Sequence, residues 1–460
     1  MGGGNNADVE YAARCGGSVP SESTRRQPSG VGRQERTWVM TMRSSAVLVA
    51  AFALLAVGSN ATPVAAAPNS SACESWVAAF TAAPGVKSAA SLQGSTIRAI
   101  VSPHVGSDTL RLRLTNRFGS QPLTVGPVEI GRSIGGSANL VAGSNTVVTF
   151  GGSRTVTIPA GADLTSDPIS LRANAFELLA VSFFLPVAQS TTEHFDAMRL
   201  SWMAPNVDAT GAENASAFLL PYPMLPVVAG LDAVVPGGRT VVAFGDSITD
   251  GAASFQGRPA MLGTDERYPD FLARRLLGAG HSDIGVVNAG ISGNQASRDG
   301  NPVTGPIVGY GPAGVSRFEH DVLEVPGVTD VIVMLGTNDM SSEFQEPATP
   351  QQVIDALATI VAKAHAAGVR VQLGTIPPRQ DAQTPPSHPA GVLAVNRWIR
   401  EESQADSVID FNAVLRDPGN PSILNPGLDS GDGVHPNAAG YRAMADAVDL
   451  TTLVGTGRGC

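Results

Sequence analysis

Two textures of apolar and polar residues divide this chain. Between Trp76 and about Leu225 the pattern is short alternation: Leu110-Arg-Leu-Arg-Leu114, Asn145-Thr-Val-Val-Thr-Phe150, Thr155-Val-Thr-Ile158, Leu179-Ala-Val-Ser-Phe-Phe-Leu185. Gly, Pro, Asn and Asp punctuate these runs. Successive side chains of a strand point to opposite faces, so period two with frequent turns predicts an all-β sandwich over residues 72–225. From Thr240 the texture changes. Apolar runs at Val241–Phe244, Ile284–Val287, Val328–Leu335 and Val369–Leu373 alternate with helical stretches at 266–277, 313–323, 350–366, 391–404 and 436–448. Strand alternating with helix predicts a parallel sheet covered on both faces, a flavodoxin-like three-layer α/β/α domain over 240–460. The segment between, 226–239, has Pro and Gly at both ends and reads as a linker.

The first 67 residues fit neither texture. Arg43 precedes an unbroken apolar run, Ala46 to Val57, followed by a polar segment and Pro63-Val-Ala-Ala-Ala67. A positive end, an apolar centre and a small-residue cleavage site make a secretory leader. The run is too short to span a bilayer, and no later run is longer. Residues before Met40 read as an over-extended start, with Met40 or Met42 as the initiator. Export would place the protein outside the cell, without stable membrane insertion. Of three cysteines, Cys15 would leave with the leader. Cys73 and Cys460 then remain, and in an oxidising compartment they are a candidate disulfide.

The 460 residues carry a formal net charge of -10 and are 43% hydrophobic, which is ample for a core. The leader holds six arginines against four acids, so the rest of the chain is still more acidic. No cationic run or aromatic–basic interleaving appears, which argues against nucleic acid as a partner.

Candidate chemistry lies at the ends of the apolar runs of the second half. Val241-Val-Ala-Phe-Gly-Asp-Ser-Ile-Thr-Asp-Gly251 reads as a strand, a sharp turn carrying Ser247, and a helix start. Open α/β sheets place their chemistry at the carboxyl ends of strands. Gly290-Ile-Ser-Gly293 and Gly336-Thr-Asn-Asp339 each follow another apolar run. Asp432-Gly-Val-His435 supplies the only histidine of seven with an acid three positions earlier.

These four blocks resemble the GDSL, or SGNH, hydrolase family. Ser247, Gly293, Asn338 and His435 match its four named residues in order, and Asp432 matches its triad acid. The resemblance runs from about Val241 to about Val448. The wording of Asn288-Ala-Gly-Ile-Ser-Gly-Asn294 and Ser316-Arg-Phe-Glu-His-Asp-Val322 is most similar to the secreted arylesterase and carbohydrate-deacetylase branch. The resemblance implies Ser247 as nucleophile, His435 as its base and Asp432 as the group that orients the imidazole. It also implies an oxyanion hole made by the N–H groups of Ser247 and Gly293 and the Asn338 amide. No metal or organic cofactor is implied.

Neighbouring polar residues carry more modest expectations. Asp246, Asn288 and Asp339 read as braces of their loops. Asp250, Arg298 and Arg317 fit either the cleft or surface salt bridges. His194 and the aromatics near it fit packing, with the cleft as the alternative. Gly309-Tyr-Gly-Pro-Ala-Gly314 has dinucleotide-like spacing, but its proline makes it a loop. The chain has no Gly-x-Ser-x-Gly elbow. The sequence therefore predicts a secreted serine esterase for short acyl esters, acetyl foremost, on small molecules or polysaccharides. The alternatives are a lipase or thioesterase with the same machinery, and a non-catalytic carbohydrate-binding protein on the same fold.

Overall fold

The structure is a computed structural model that describes residues 74–88, 91–187, 190–252, 262–300, 310–343 and 345–454. The leader, Cys15, Cys73 and Cys460 lie outside these residues, so the disulfide and export readings do too. All described residues belong to one compact unit.

Two antiparallel sheets form the first half. One orders the strands Glu74–Thr81, Val228–Pro236, Ser107–Thr115 and Ile169–Ala173. The other orders Leu220–Tyr222, Ser201–Ala204, Ser95–Val101, Leu179–Leu185, Val128–Arg132 and Thr146–Val148. Their inner faces share one core, with Val77, Leu110, Leu112, Leu114 and Leu231 from the first sheet and Ile97, Ile130, Val181 and Phe183 from the second. The alternation at 110–114 does what period two requires. The three leucines face the core, while Arg111 and Arg113 point to the other side and clamp Asp232 at 2.9 and 3.0 Å.

The expected linker at 226–239 is not one. Val228–Pro236 lies between two partners in its sheet, pairing with both Glu74–Thr81 and Ser107–Thr115. Its Val-Ala-Gly-Leu-Asp-Ala-Val-Val run is apolar enough for a central strand. The Pro and Gly residues mark the turns at its ends rather than a loose connection. The chain leaves this strand through a turn at Gly237 (φ +65) and enters Arg239–Gly245 at once. The two halves are stitched together by Thr81 Oγ1 donating to Asn288 O at 2.7 Å and by a contact of His104 Nε2 with Asp270 Oδ1 at 3.1 Å.

The second half is a parallel sheet in the order Ile284–Gly290, Arg239–Gly245, Val328–Met334, Arg370–Gly374, Ser407–Ile409. In chain order that is 2-1-3-4-5, the doubly wound flavodoxin-like arrangement. Helices Pro350–Ala366 and His388–Glu401 pack on one face, against Val242, Phe244, Val331, Val333 and Leu373. Helices Tyr268–Gly278, Phe411–Leu415 and Ala438–Ala447 cover the other, against Val241, Ala243, Val286, Ile332 and Met334. Adjacent strand residues thus enter opposite cores, which is why these strands read as continuous apolar runs. The Pro350–Ala366 helix keeps its expected bounds, with Thr349 and Gln352 closing a capping box. The helix expected at 436–448 begins later, at Ala438, and a short helix Leu450–Val454 follows it. Asn437 caps the first of these by accepting from Gly440 N at 3.0 Å, which leaves Pro436 before the helix.

Candidate active site

The sheet order reverses at Arg239–Gly245, and this is where a doubly wound sheet opens a crevice. Ser247 follows that strand, Gly293 follows Ile284–Gly290 and Asn338 follows Val328–Met334. The fold thus brings three distant blocks to one point.

Ser247 opens a single helical turn, Ser247–Asp250. Asp246 caps it by accepting from Ile248 N at 3.0 Å, and Gly251 ends it at φ +101. Gly245 is required by close approach, since a Cβ there would lie 2.0 Å from Thr249 Oγ1 and 2.8 Å from Met334 O. Burial is the main reason the Asp246 carboxyl is pushed up to about 6. His435 Nε2 lies 2.8 Å from Ser247 Oγ, and His435 Nδ1 lies 2.9 Å from Asp432 Oδ2. The other oxygen of Asp432 accepts from the backbone N–H groups of Val434 and His435 at 2.9 and 2.8 Å. Burial would raise the Asp432 carboxyl, but its hydrogen bonds from the His435 ring and from the two backbone donors hold it well below the usual carboxylate range. Nδ1–H therefore faces a carboxylate, which leaves Nε2 to accept from the serine.

Gly293 and Asn338 line the same cavity as Ser247 and His435, a space of about 350 Å³. Gly293 has φ +76, and a Cβ there would lie 2.2 Å from Cδ1 of Tyr310. Backbone and packing both demand glycine. The Asn338 amide is fixed at both ends: Nδ2 donates to Asn294 O at 3.1 Å, and Oδ1 accepts from Arg379 Nη1 at 3.2 Å. An amide nitrogen carries two hydrogens, so the bond to Asn294 uses one of them. Arg379 is itself held by Asp381 and Glu343 at 2.7 and 2.8 Å.

The loop braces behave as expected. Asn288 accepts from Gly290 N and donates to Thr249 O. Asp339 accepts from Ala296 N, Ser297 N and Ser297 Oγ. The three residues left between cleft and surface are neither. Arg317 is buried under the strand ends, donating to Gly245 O, Ala289 O, Asn294 Oδ1 and Asp321 while stacking on Phe244. Arg298 ties Gln295 to Asp339 O and Glu346 O. Asp250 is buried against His194 and Ser292. Sequence reasoning missed Phe195, Asp196, Tyr310, Glu343, Arg379 and Asp381 as cavity residues. None belongs to the four blocks, Tyr310 lies in the 309–314 stretch read as a loop, and only the aromatics around His194 hinted at the first two.

Residues 243–443 match the family model of the GDSL-like lipase/acylhydrolase family, so the α/β half carries a GDSL-like lipase/acylhydrolase domain. It is a carboxylic ester hydrolase domain. Three solved structures each match over less than half of this chain. A lipolytic protein of the G-D-S-L family from Desulfitobacterium hafniense is 24% identical over 46% of this chain and 97% of its own, with a TM-score of 0.32. A carbohydrate acetylesterase from Sinorhizobium meliloti is 19% identical over 47% of this chain and 99% of its own, at 0.36. The esterase EstA from Pseudoalteromonas sp. is 21% identical over 45% of this chain and 93% of its own, at 0.32. No curated protein matches this chain.

Proposed function

We propose that this chain is an exported serine esterase that removes short acyl groups, acetyl foremost, from polar alcohols such as sugars. The observation that carries the mechanism is the unbroken relay from Ser247 Oγ through His435 to Asp432, at 2.8 and 2.9 Å. Ser247 Oγ attacks the ester carbonyl while His435 Nε2 takes its proton. The carbonyl oxygen becomes an oxyanion that accepts from Ser247 N–H, Gly293 N–H and the Asn338 amide. Each such donor is worth about 3 kcal/mol of barrier. His435 then protonates the departing alcohol. Water, deprotonated by the same imidazole, attacks the acyl-serine and releases the carboxylic acid and the free serine. Asp432 remains ionised throughout, fixing the tautomer and stabilising the imidazolium.

The substrate reading rests on the cavity. Its lining mixes two aromatic rings, Phe195 and Tyr310, with the polar Glu343, Arg379 and Asp381. Apolar ring faces beside clustered hydrogen-bonding groups suit a sugar better than a long alkyl chain. Export rests on the leader-like sequence before Pro68. The test compares acetate release from acetylated xylan or pectin with hydrolysis of p-nitrophenyl esters of increasing length. Acetate release with a short-chain optimum is the expected result. A long-chain optimum with no acetate released from any polysaccharide refutes the substrate and leaves the relay standing.

A further inference from the structure

The sandwich half contributes a polar segment to the interior of the site. His194 closes the short strand Thr192–His194, and Phe195 and Asp196 follow it into the cavity wall. His194 Nδ1 lies 2.8 Å from Ala83 O. Its Nε2 lies 3.0 Å from Asp196 O and 3.1 Å from Asp250 Oδ1. Every one of these partners is an acceptor, so both ring nitrogens must carry a proton and the ring is an imidazolium. Burial opposes that charge, but Asp250 outweighs it and His194 is pushed up to about 9.

Asp250 and Asp196 together grip one residue, Ser292. Ser292 N donates to Asp250 Oδ2 at 3.1 Å, and Ser292 Oγ donates to Asp196 Oδ2 at 2.7 Å. Ser292 immediately precedes Gly293, and Asp250 is the last residue of the turn that Ser247 opens. The cluster therefore joins the nucleophile turn to the glycine loop through the sandwich. His194, Asp196 and Asp250 are 7%, 2% and 1% exposed. The remaining oxygen of Asp196, Oδ1, is buried with no hydrogen-bond partner. Burial, with the charge of Asp250, pushes the Asp196 carboxyl up to about 7. Two buried acids beside one imidazolium are a poor way to build stability, because well-packed apolar residues would commonly do as well. Such clusters concentrate where geometry serves chemistry.

We propose that the His194–Asp196 segment is a positioning element of the catalytic site, holding Ser292 so that Gly293 N–H meets the oxyanion. This rests on the reading of Gly293 as an oxyanion donor. The sandwich is then part of the catalytic apparatus and not an appended module. Asp196 and Ser292 act through the loop and do not handle the reacting atoms.

The test uses the full chain and four variants, Asp196→Ala, Asp196→Asn, Ser292→Ala and, as a control on an exposed sandwich strand, Val147→Thr. Active sites are counted by labelling with a fluorophosphonate, so that rates refer to competent molecules. Expected is a fall in kcat of about tenfold or more for Asp196→Ala and Ser292→Ala, with KM unchanged. Affinity for an alkyl boronic acid, which mimics the tetrahedral state, falls by a similar factor. Asp196→Asn retains most activity, because its amide oxygen still accepts from Ser292 Oγ, and Val147→Thr matches the parent. Parental kcat and boronate affinity in Asp196→Ala, with only a lowered Tm, overturn the proposal and make the cluster plain glue. So does a rise in KM alone. A parent chain that no fluorophosphonate labels fails the serine reading instead, a separate result.

Discussion

The sandwich and the α/β half both bury charge, and they do so to different ends. In the sandwich, Arg98 is fully buried, donating to Ser182 Oγ, Ala138 O and Ala212 O while stacking on Phe218. Burial draws its guanidinium down to about 10, yet it still ties three stretches of chain to one point. Asp232 is matched by two arginines. At the strand ends of the α/β half, carboxylates instead hold loops. Asp246, Asp339 and Asp432 accept mainly from backbone N–H and hydroxyl groups, or from His435, on loops that carry Ser247, Gly293, Asn338 and His435. A buried charge that closes a loop far from the crevice sets stability. A buried charge that holds a loop at the crevice is expected to set rate.

That contrast can be broken by substitution. The largest effect belongs to the relay: Ser247→Ala or His435→Ala lowers kcat on p-nitrophenyl acetate by about 10⁴-fold or more, with the folded state retained by circular dichroism. Asn338→Ala comes next, lowering kcat about a hundredfold while KM holds. A rise in KM alone would make Asn338 a binding residue. Leu112→Ala, in the sandwich core, costs roughly 2–5 kcal/mol of unfolding free energy by denaturant titration. Its kcat per competent site stays at the parent value. If Leu112→Ala instead slows turnover while stability holds, the division between stability and rate fails.

The smallest effect is on pH dependence. His194 binds its proton more tightly in the folded state, at about 9, than an unfolded histidine near 6.5. Its stabilising contribution is therefore complete below about pH 6.5 and is lost as pH rises through about 9. Tm should decline across that window in the parent and decline less in His194→Gln. Equal slopes would show that His194 is not charged in the native protein.

The α/β half was far more legible in the sequence than the sandwich contribution. Its strands are buried on both faces and end at conspicuous Gly, Ser and Asn residues, so elements and candidate reactive positions were announced together. Helix 350–366 was readable to the residue because Thr349 and Gln352 write its start locally. The strand at 228–236 was hidden by the Pro and Gly beside it. Whether such a run is a linker or a central strand depends on partners more than a hundred positions away, Glu74–Thr81 and Ser107–Thr115. Asp196 and Arg379 were illegible for the same reason. Each matters only through a distant residue, Ser292 or Asn338, and no local spacing encodes that pairing. Strand Ser407–Ile409 is three residues long and too short to show a period.

The central claim is that Ser247 is the nucleophile and His435 its base. It is tested most directly by treating the parent, Ser247→Ala and His435→Ala with a p-nitrophenyl alkylphosphonate, then mapping the added mass by peptide. One phosphonyl group per parent chain is expected, on the peptide containing Ser247. No labelling is expected in Ser247→Ala, and strongly slowed labelling in His435→Ala. A phosphonyl group on another residue of the parent, or undiminished labelling of Ser247→Ala, would contradict the claim.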